Sequence, residues 1–354
     1  MSATPNLTRE TIAAIDPTRQ LADILDLPEH LRDALWRVES ASLKPHDAPG
    51  GLVVAGMGGS AIGGSLALAA LGDRASRSIF VLRDYALPPW ITPDATVLCS
   101  SYSGETEETL AAFDAAGAVG ARRIVCTTGG QLAELARGEG VPVIPLPGGF
   151  QPRAAVGYSL VVALEAAALS GVGESLRSEI DVAAAHAEQL VADWGPDAPE
   201  DSLAKSLARS LHGTTPQIAG AGLTTAIAYR WKTQINENAK APAFATVLPE
   251  LNHNEIVGWD GAEELGRFAA IFLDDRDLHP RVRRRMELTE EIIAGTAAFT
   301  RRIETVGENR TERVVSLVLL GDLVSLYLAV LRGEDPVSVV AIDRLKGALA
   351  GSGD

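Results

Sequence analysis

Along the first 150 positions the apolar residues fall into short runs of strand length. They lie at 52–55, 79–83, 96–99, 124–127 and 142–146, and stretches of helical periodicity separate them at about 61–71, 106–117 and 131–137. Alternating strand and helix predicts right-handed crossovers and a parallel sheet covered by helices on both faces. Upstream, residues 8–40 read as helical, with Ile12, Ile15, Leu21, Ile24, Leu25 and Leu31 apolar and Pro17 and Pro28 as breaks. Downstream, long Ala/Leu/Val helices are predicted at about 155–170 and 174–193.

The segment Trp194–Asp201, WGPDAPED, interrupts the pattern and reads as an exposed linker. A second alternation follows it. Strands are predicted at 216–222, 268–274 and 301–306, with helices at 224–238, 279–295, 313–331 and 336–349. The fold class expected is α/β, with two doubly wound domains, each a mainly parallel sheet flanked by helices. They would span residues 1–195 and 196–354, the second a degenerate copy of the first.

The size of the chain, 354 residues and 37.1 kDa, agrees with two domains. A formal net charge of −15 removes the basic footprint that nucleic-acid binding needs and disfavours anionic membrane surfaces. No segment reads as the ~20 apolar residues of a membrane span, and the N-terminus lacks an apolar core of signal-peptide type. A cytoplasmic protein is expected. Cys99 and Cys126 end strand-like runs and read as buried thiols, and no Cys/His spacing predicts a metal site. Arg281, Arg283, Arg284 and Arg285 read as a solvated helix face paired with Glu287, Glu290 and Glu291.

Two strand-to-helix turns carry the candidate chemistry: LVVAGMGGSAIGG at 52–64 and VLCSSYSGETEET at 97–109. Unpaired N–H groups and the helix dipole make such turns receptive to anions. Gly56, Gly58 and Gly59 would let a ligand approach the backbone, and Ser60, Ser100, Ser101, Ser103 and Thr106 add hydroxyl donors. Hydroxyls and amides without an arginine clamp suit a small phosphorylated metabolite. Gly56, Gly58 and Ala61, with Asp84 further on, also satisfy a dinucleotide-binding pattern, which gives no reason for the hydroxyl cluster.

The two turns together resemble the sugar isomerase (SIS) fold. QPRAAVGY at 151–158, QINENAK at 234–240, LNHNEIVGW at 251–259 and PVSVVAIDRLKGAL at 336–349 are similar to the bifunctional phosphoglucose/phosphomannose isomerase family, from about Gly51 to the C-terminus. This resemblance implies two SIS-type domains and metal-independent aldose–ketose isomerisation of hexose 6-phosphates through a cis-enediol, with no cofactor. Gly58, Gly59, Ser60, Ser101, Ser103 and Thr106 would hold the substrate phosphate. Glu237 would be the base, since a carboxylate can shuttle a proton between adjacent carbons; pattern alone also fits a surface glutamate. His253 would open the sugar ring and, as the family implies, would come from the partner subunit of a homodimer. Lys346 would reach the ring-end oxygens, and the fixed charge of Arg153 would stabilise the enediolate.

Two departures accompany the resemblance. Ser65 stands where relatives often carry an acidic residue, and Glu105 replaces the commoner asparagine beside the proposed phosphate site. Ser338 is a candidate for the small hydroxyl residue that the family links to mannose tolerance. A phosphosugar-binding SIS module without catalysis is the competing reading. It would leave Glu237, His253, Arg153 and Lys346 without a task.

Overall fold

The computed structural model describes residues 5–351, so the outermost positions of the two expected domains, 1–4 and 352–354, lie outside it. The first sheet comprises β1 (Leu52–Ala55), β2 (Ile79–Leu82), β3 (Thr96–Ser100), β4 (Arg122–Thr127) and β5 (Val143–Pro145), all parallel in the order β2-β1-β3-β4-β5. The second comprises β6 (Thr215–Gly220), β7 (Phe244–Val247), β8 (Phe268–Asp274) and β9 (Phe299–Glu304), parallel in the order β7-β6-β8-β9. In both sheets the second strand flanks the first and the third lies on its other side, which is the internal duplication expected. Every residue of β1 and β3 is buried, as a central parallel strand covered on both faces requires.

Three helices precede the first sheet: α1 (Arg9–Ala13), α2 (Gln20–Leu25) and α3 (Leu27–Ser40). Within and after it come α4 (Gly58–Leu71), α5 (Glu107–Val119), α6 (Gly130–Gly138), α7 (Val156–Leu169) and α8 (Arg177–Trp194). The second half adds α9 (Leu203–Leu211), α10 (Thr225–Ala239), α11 (Ala262–Leu265), α12 (Pro280–Ile293), α13 (Arg310–Arg332) and α14 (Val340–Gly351). Strand β7 and helix α9 are additions to the pattern-based reading. β7 is an edge strand whose apolar residues Phe244, Ala245 and Val247 are exposed and whose one buried residue is Thr246, the reverse of the usual pattern. β9 begins two residues before its predicted start because Phe299 and Thr300 pair with β8, ahead of the charged RRIE segment.

Two expectations are corrected. The segment Trp194–Asp201 is not an exposed linker. Trp194, Pro196 and Ala198 are buried, and the Tyr327 hydroxyl donates to the Trp194 carbonyl at 2.9 Å. Lys205 donates to the carbonyls of Pro196 and Ala198 at 2.9 and 2.7 Å and pairs with Glu200, so cations of α9 hold the acidic turn against the body. The second correction concerns α13. By length and composition it could cross a membrane, with a mean hydropathy of 2.4 over its most apolar window, yet 94% of that window is buried within the protein.

Helix α13 packs against α8, α9 and α10 and also touches α4, so one continuous core joins Leu52, Val54 and Leu98 of the first sheet to Ile218 and Ile271 of the second. At the crossing of α10 and α13, a Cβ on Gly321 would come within 2.3 Å of Trp231 Nε1, which donates instead to the Leu317 carbonyl at 2.7 Å. Both cysteines are buried, and burial pushes each thiol up to about 12, which makes them packing residues as expected.

Asp23 on α2 is half-buried beside Asp26 and Asp16, and desolvation followed by those charges raises its pKa from 3.8 to about 6. The folded protein therefore holds this proton more tightly than the unfolded chain does. The associated stability is fully present below about pH 3.8 and is lost as the pH rises through about 6. Asp23→Asn should raise the thermal midpoint at pH 7.5 and leave it nearly unchanged at pH 4. An equal gain at both pH values would contradict this account.

Candidate active site

The glycine turn after β1 is shaped by close backbone approach. Gly58 has φ +51°, a left-handed value that favours glycine. A Cβ on Gly59 would lie 2.5 Å from the Pro152 carbonyl oxygen, so a larger residue would push away the segment that carries Arg153. After β3, the loop hydroxyls organise one another. Ser101 Oγ and Thr106 Oγ1 are 2.8 Å apart, and Ser101 Oγ accepts from the Gly104 amide at 3.1 Å. Ser60 Oγ accepts from the Tyr102 amide at 3.2 Å, and Ser103 Oγ accepts from the Glu105 amide at 3.2 Å. A hydroxyl that accepts from an amide keeps its own O–H to donate. Ser60 and Ser103 thus keep an O–H to donate beside the starts of α4 and α5, Ser101 and Thr106 share one hydrogen bond between their hydroxyls, and Thr106 stands at the N-cap position of α5 without a side-chain capping bond.

Glu105 of the same loop is bound elsewhere. Its Oε1 accepts from the Gln131 amide at 2.9 Å, which holds the carboxylate at the head of α6. Ser65 accepts from Arg83 Nη2 at 3.0 Å, so a neutral acceptor stands at that position, bonded to a cationic donor.

Helix α10 brings the second half of the protein to the glycine turn. It starts at the C-terminal edge of the second sheet and runs back against the strands, so Glu237 and Asn238 arrive in its last turn. There they meet Arg153, which is 4% exposed. Arg153 Nε donates to Asn238 Oδ1 at 2.7 Å, and Nη1 faces Glu237 Oε2 at 3.4 Å. Nη2 donates to the carbonyls of Pro336 and Val337 at 2.5 and 3.3 Å. Burial pushes the Arg153 pKa down, and the Glu237 charge opposes that. The Glu237 side chain is 32% exposed, so it remains open to a ligand. Gly58, Gly59, Arg83, Arg153, Thr233 and Glu237 line one cavity of about 100 Å³. Glu237 also lines an adjoining cavity of about 650 Å³ with Lys240, Asp335 and Ser338.

The frame beneath this site is a buried ion pair. Arg230 Nη2 and Nε donate to both carboxylate oxygens of Asp322 at 2.6 and 3.1 Å, and Gln234 Nε2 adds a bond to Oδ1 at 2.9 Å. Arg230 Nη2 also donates to the Arg153 carbonyl at 3.0 Å. Desolvation pushes the Asp322 carboxyl up, and Arg230 opposes it. Asn238 Nδ2 bonds Ser325 Oγ at 2.9 Å, one turn further along α13.

His253 and Lys346 are not brought to this point, and Ser60, Ser101, Ser103 and Thr106 line neither cavity at Glu237. His253 is exposed on the 3-10 segment Glu250–His253, after β7, beyond the C-terminal edge of the second sheet. Glu237 lies twelve residues into α10, about 18 Å from that edge at 1.5 Å per residue. Lys346 is exposed on α14 and lines neither cavity around Glu237. The structure also introduces residues to which the motifs gave no role. Lys240 Nζ donates to the Glu237 carbonyl at 2.8 Å, to that of Asn238 at 3.4 Å and to that of Asp335. Burial, followed by the Arg153 charge, pushes the Lys240 pKa down. Arg83 joins the smaller cavity from the end of β2.

One chain thus combines two parallel sheets, hydroxyl-rich turns at helix starts and a buried arginine against a carboxylate. A family model described as the bacterial phospho-glucose isomerase C-terminal SIS domain matches residues 200–349. The bifunctional phosphoglucose/phosphomannose isomerase of Caldicellulosiruptor bescii is 42% identical over 332 residues, covering 92% of this chain and 98% of that one. Its counterpart in Aquifex aeolicus is 37% identical over 89% of this chain and 94% of its own. Among solved structures, a glucose-6-phosphate isomerase-like protein from Thermus thermophilus superposes with a TM-score of 0.64 at 20% identity, covering 97% of this chain and 99% of that one, a likeness of fold. The chain belongs to the bifunctional phosphoglucose/phosphomannose isomerase family.

Removing one partner of the pair beneath the site leaves an uncompensated buried charge. Asp322→Ala should therefore cost about 3–5 kcal/mol of unfolding free energy. Urea unfolding followed by circular dichroism measures this, and a loss under 1 kcal/mol would contradict the role given to the pair.

Proposed function

We propose that this chain interconverts glucose 6-phosphate or mannose 6-phosphate with fructose 6-phosphate by proton transfer through a cis-enediol, without metal or cofactor. The observation that carries the reading is Arg153 at 3.4 Å from Glu237, in one cavity with Gly58 and Gly59. The 6-phosphate would accept hydrogen bonds from Ser60, Ser101, Ser103, Thr106 and the amides at Gly58 and Gly59. In the open-chain aldose, Glu237 takes the C2 proton, the C–H electrons form the C1=C2 bond, and O1 is protonated. Glu237 then returns the proton to C1 as the O2 proton leaves, which gives the ketose. Charge on the oxygens in the enediolate would be stabilised by Arg153. Lys346 would serve the ring-end oxygens, and Ser338 is our candidate for epimer tolerance.

Ring opening falls to His253 of a second copy in a homodimer. The separation of His253 from Glu237 along α10 supports this, since one chain leaves the imidazole at the far end of its own sheet. The segment after His253 exposes Val257 at 68% and Leu265 at 81%, which suits burial against a partner. An apolar cleft of about 780 Å³ between α4, α10 and edge strands β2 and β7 shares Ile62, Arg83 and Tyr229 with the smaller cavity at Glu237. The acidic surface and the two buried free thiols support a cytoplasmic setting.

Two outcomes are expected. With fructose 6-phosphate as substrate and a strong chelator present, coupled assays reading glucose 6-phosphate and mannose 6-phosphate separately should detect turnover. Glu237→Gln should lower kcat by roughly 10²–10⁴-fold and leave KM within a few-fold; activity near that of the parent would remove Glu237 from the role. Second, Glu237→Gln and His253→Ala chains mixed under subunit exchange should regain activity, because two-fold symmetry gives each mixed dimer one intact site. Exchange verified by native mass spectrometry without regained activity would mean that both residues serve one chain's site.

A further inference from the structure

The chain from Gly333 to Val339 forms neither helix nor strand, and it alone connects α13 to α14. Residues 341–349 of α14 are all exposed, and α14 packs extensively against no other described element. The described contacts that tie this helix to the body of the chain lie at its root. There, three successive carbonyls face two cations. Lys240 Nζ takes the Asp335 carbonyl, and Arg153 Nη2 takes those of Pro336 and Val337. Each cation also grips the last turn of α10, Lys240 through the Glu237 carbonyl at 2.8 Å and Arg153 through Asn238 Oδ1 at 2.7 Å. Arg332 Nε closes the other side on the Ala239 carbonyl at 2.7 Å. Asp335 Oδ1 accepts from the Val337 amide at 2.8 Å and rigidifies the turn.

Position 240 is an unusual place for lysine. It follows the last helical residue with φ +50°, where glycine is the cheaper residue, and its ammonium is partly desolvated among carbonyls. Glycine would satisfy the backbone but could not tie Asp335 to Glu237. The tie has leverage. Lys346 lies six residues beyond Val340, about 9 Å along the helix axis, so a tilt of about 20° at the root moves it about 3 Å.

We propose that Lys240 is a positioning residue of the isomerase: its ammonium clamps the Asp335–Val337 root to the turn bearing Glu237 and so sets where α14 delivers Lys346 relative to the base. This rests on the reading of Glu237 and Lys346 given above. Misplacement on the ångström scale costs up to about 10²-fold in rate with little effect on ground-state binding. The test uses the full-length protein with fructose 6-phosphate. Lys240→Met keeps the aliphatic stem and removes the ammonium, and should lower kcat by roughly 10–100-fold with KM within three-fold. Lys240→Arg should restore most of that loss. Lys240→Gly, which relaxes the left-handed backbone, should fold at least as well as the parent and still lose kcat. In a Lys346→Ala background, Lys240→Met should cost almost nothing more. An unchanged kcat in Lys240→Gly, or the same fractional loss with and without Lys346, would overturn the clamp. Full activity of Lys346→Ala alone would instead remove the reading on which the clamp rests.

Discussion

Arg230 and Asp322 form the contact on which the rest of the site depends. Each lies almost wholly out of water, Arg230 at 2% and Asp322 at 5% side-chain exposure. Isolated charges at such depth would be expelled or neutralised. They persist because the fork geometry fills both carboxylate oxygens and Gln234 supplies a third donor. The pair joins α10 to α13, and through the Arg153 carbonyl it joins both to the loop from the first half. The stretch carrying the glycine turn's neighbour and the helix carrying the carboxylate are thereby held in one register. Without that register, Arg153 and Glu237 would belong to separate surfaces.

The two halves make different contributions. The first sheet offers neutral donors in turns whose backbone is forced into shape by glycine and by hydroxyl-to-amide bonds. The second half offers the titratable groups, on a helix that runs back toward those turns. The local field is assembled against the grain of the whole molecule, which carries a formal charge of −15. Arg153, Arg83 and Lys240 converge on one region, while Glu105 of the hydroxyl-rich loop is held at the head of α6.

Much of this could be read from the chain. Buried parallel strands write themselves as apolar runs, and the glycine and hydroxyl turns follow from local backbone demands, so β1, β3 and the loops after them were legible. Strand β7 was not, because its short apolar run lies between Pro242 and Pro249, a setting that reads as a loop. Helix α13 was expected as a helix, but its span-like composition, which a helix buried on all sides shares with a membrane span, went unnoticed. The acidic turn at 194–201 looked solvated, since the lysine and arginine that capture it lie on the following helix. The part played by Lys240 depends on where Asp335 returns in space, about which spacing along the chain says nothing. The Arg153–Glu237 contact joins residues 84 positions apart and was expected only through family likeness.

The order in which the chain emerges gives α13 a further meaning. The first sheet and the helices around it are synthesised early, yet part of the core that covers them is supplied by a helix that begins at Arg310. Until that helix leaves the ribosome, apolar surface on α4 and α8 has no permanent cover. The N-terminal half is thus obliged to wait for its own spine. During that interval it is exposed to aggregation and suited to chaperone binding, a burden that follows directly from placing the shared core helix near the end of the polypeptide.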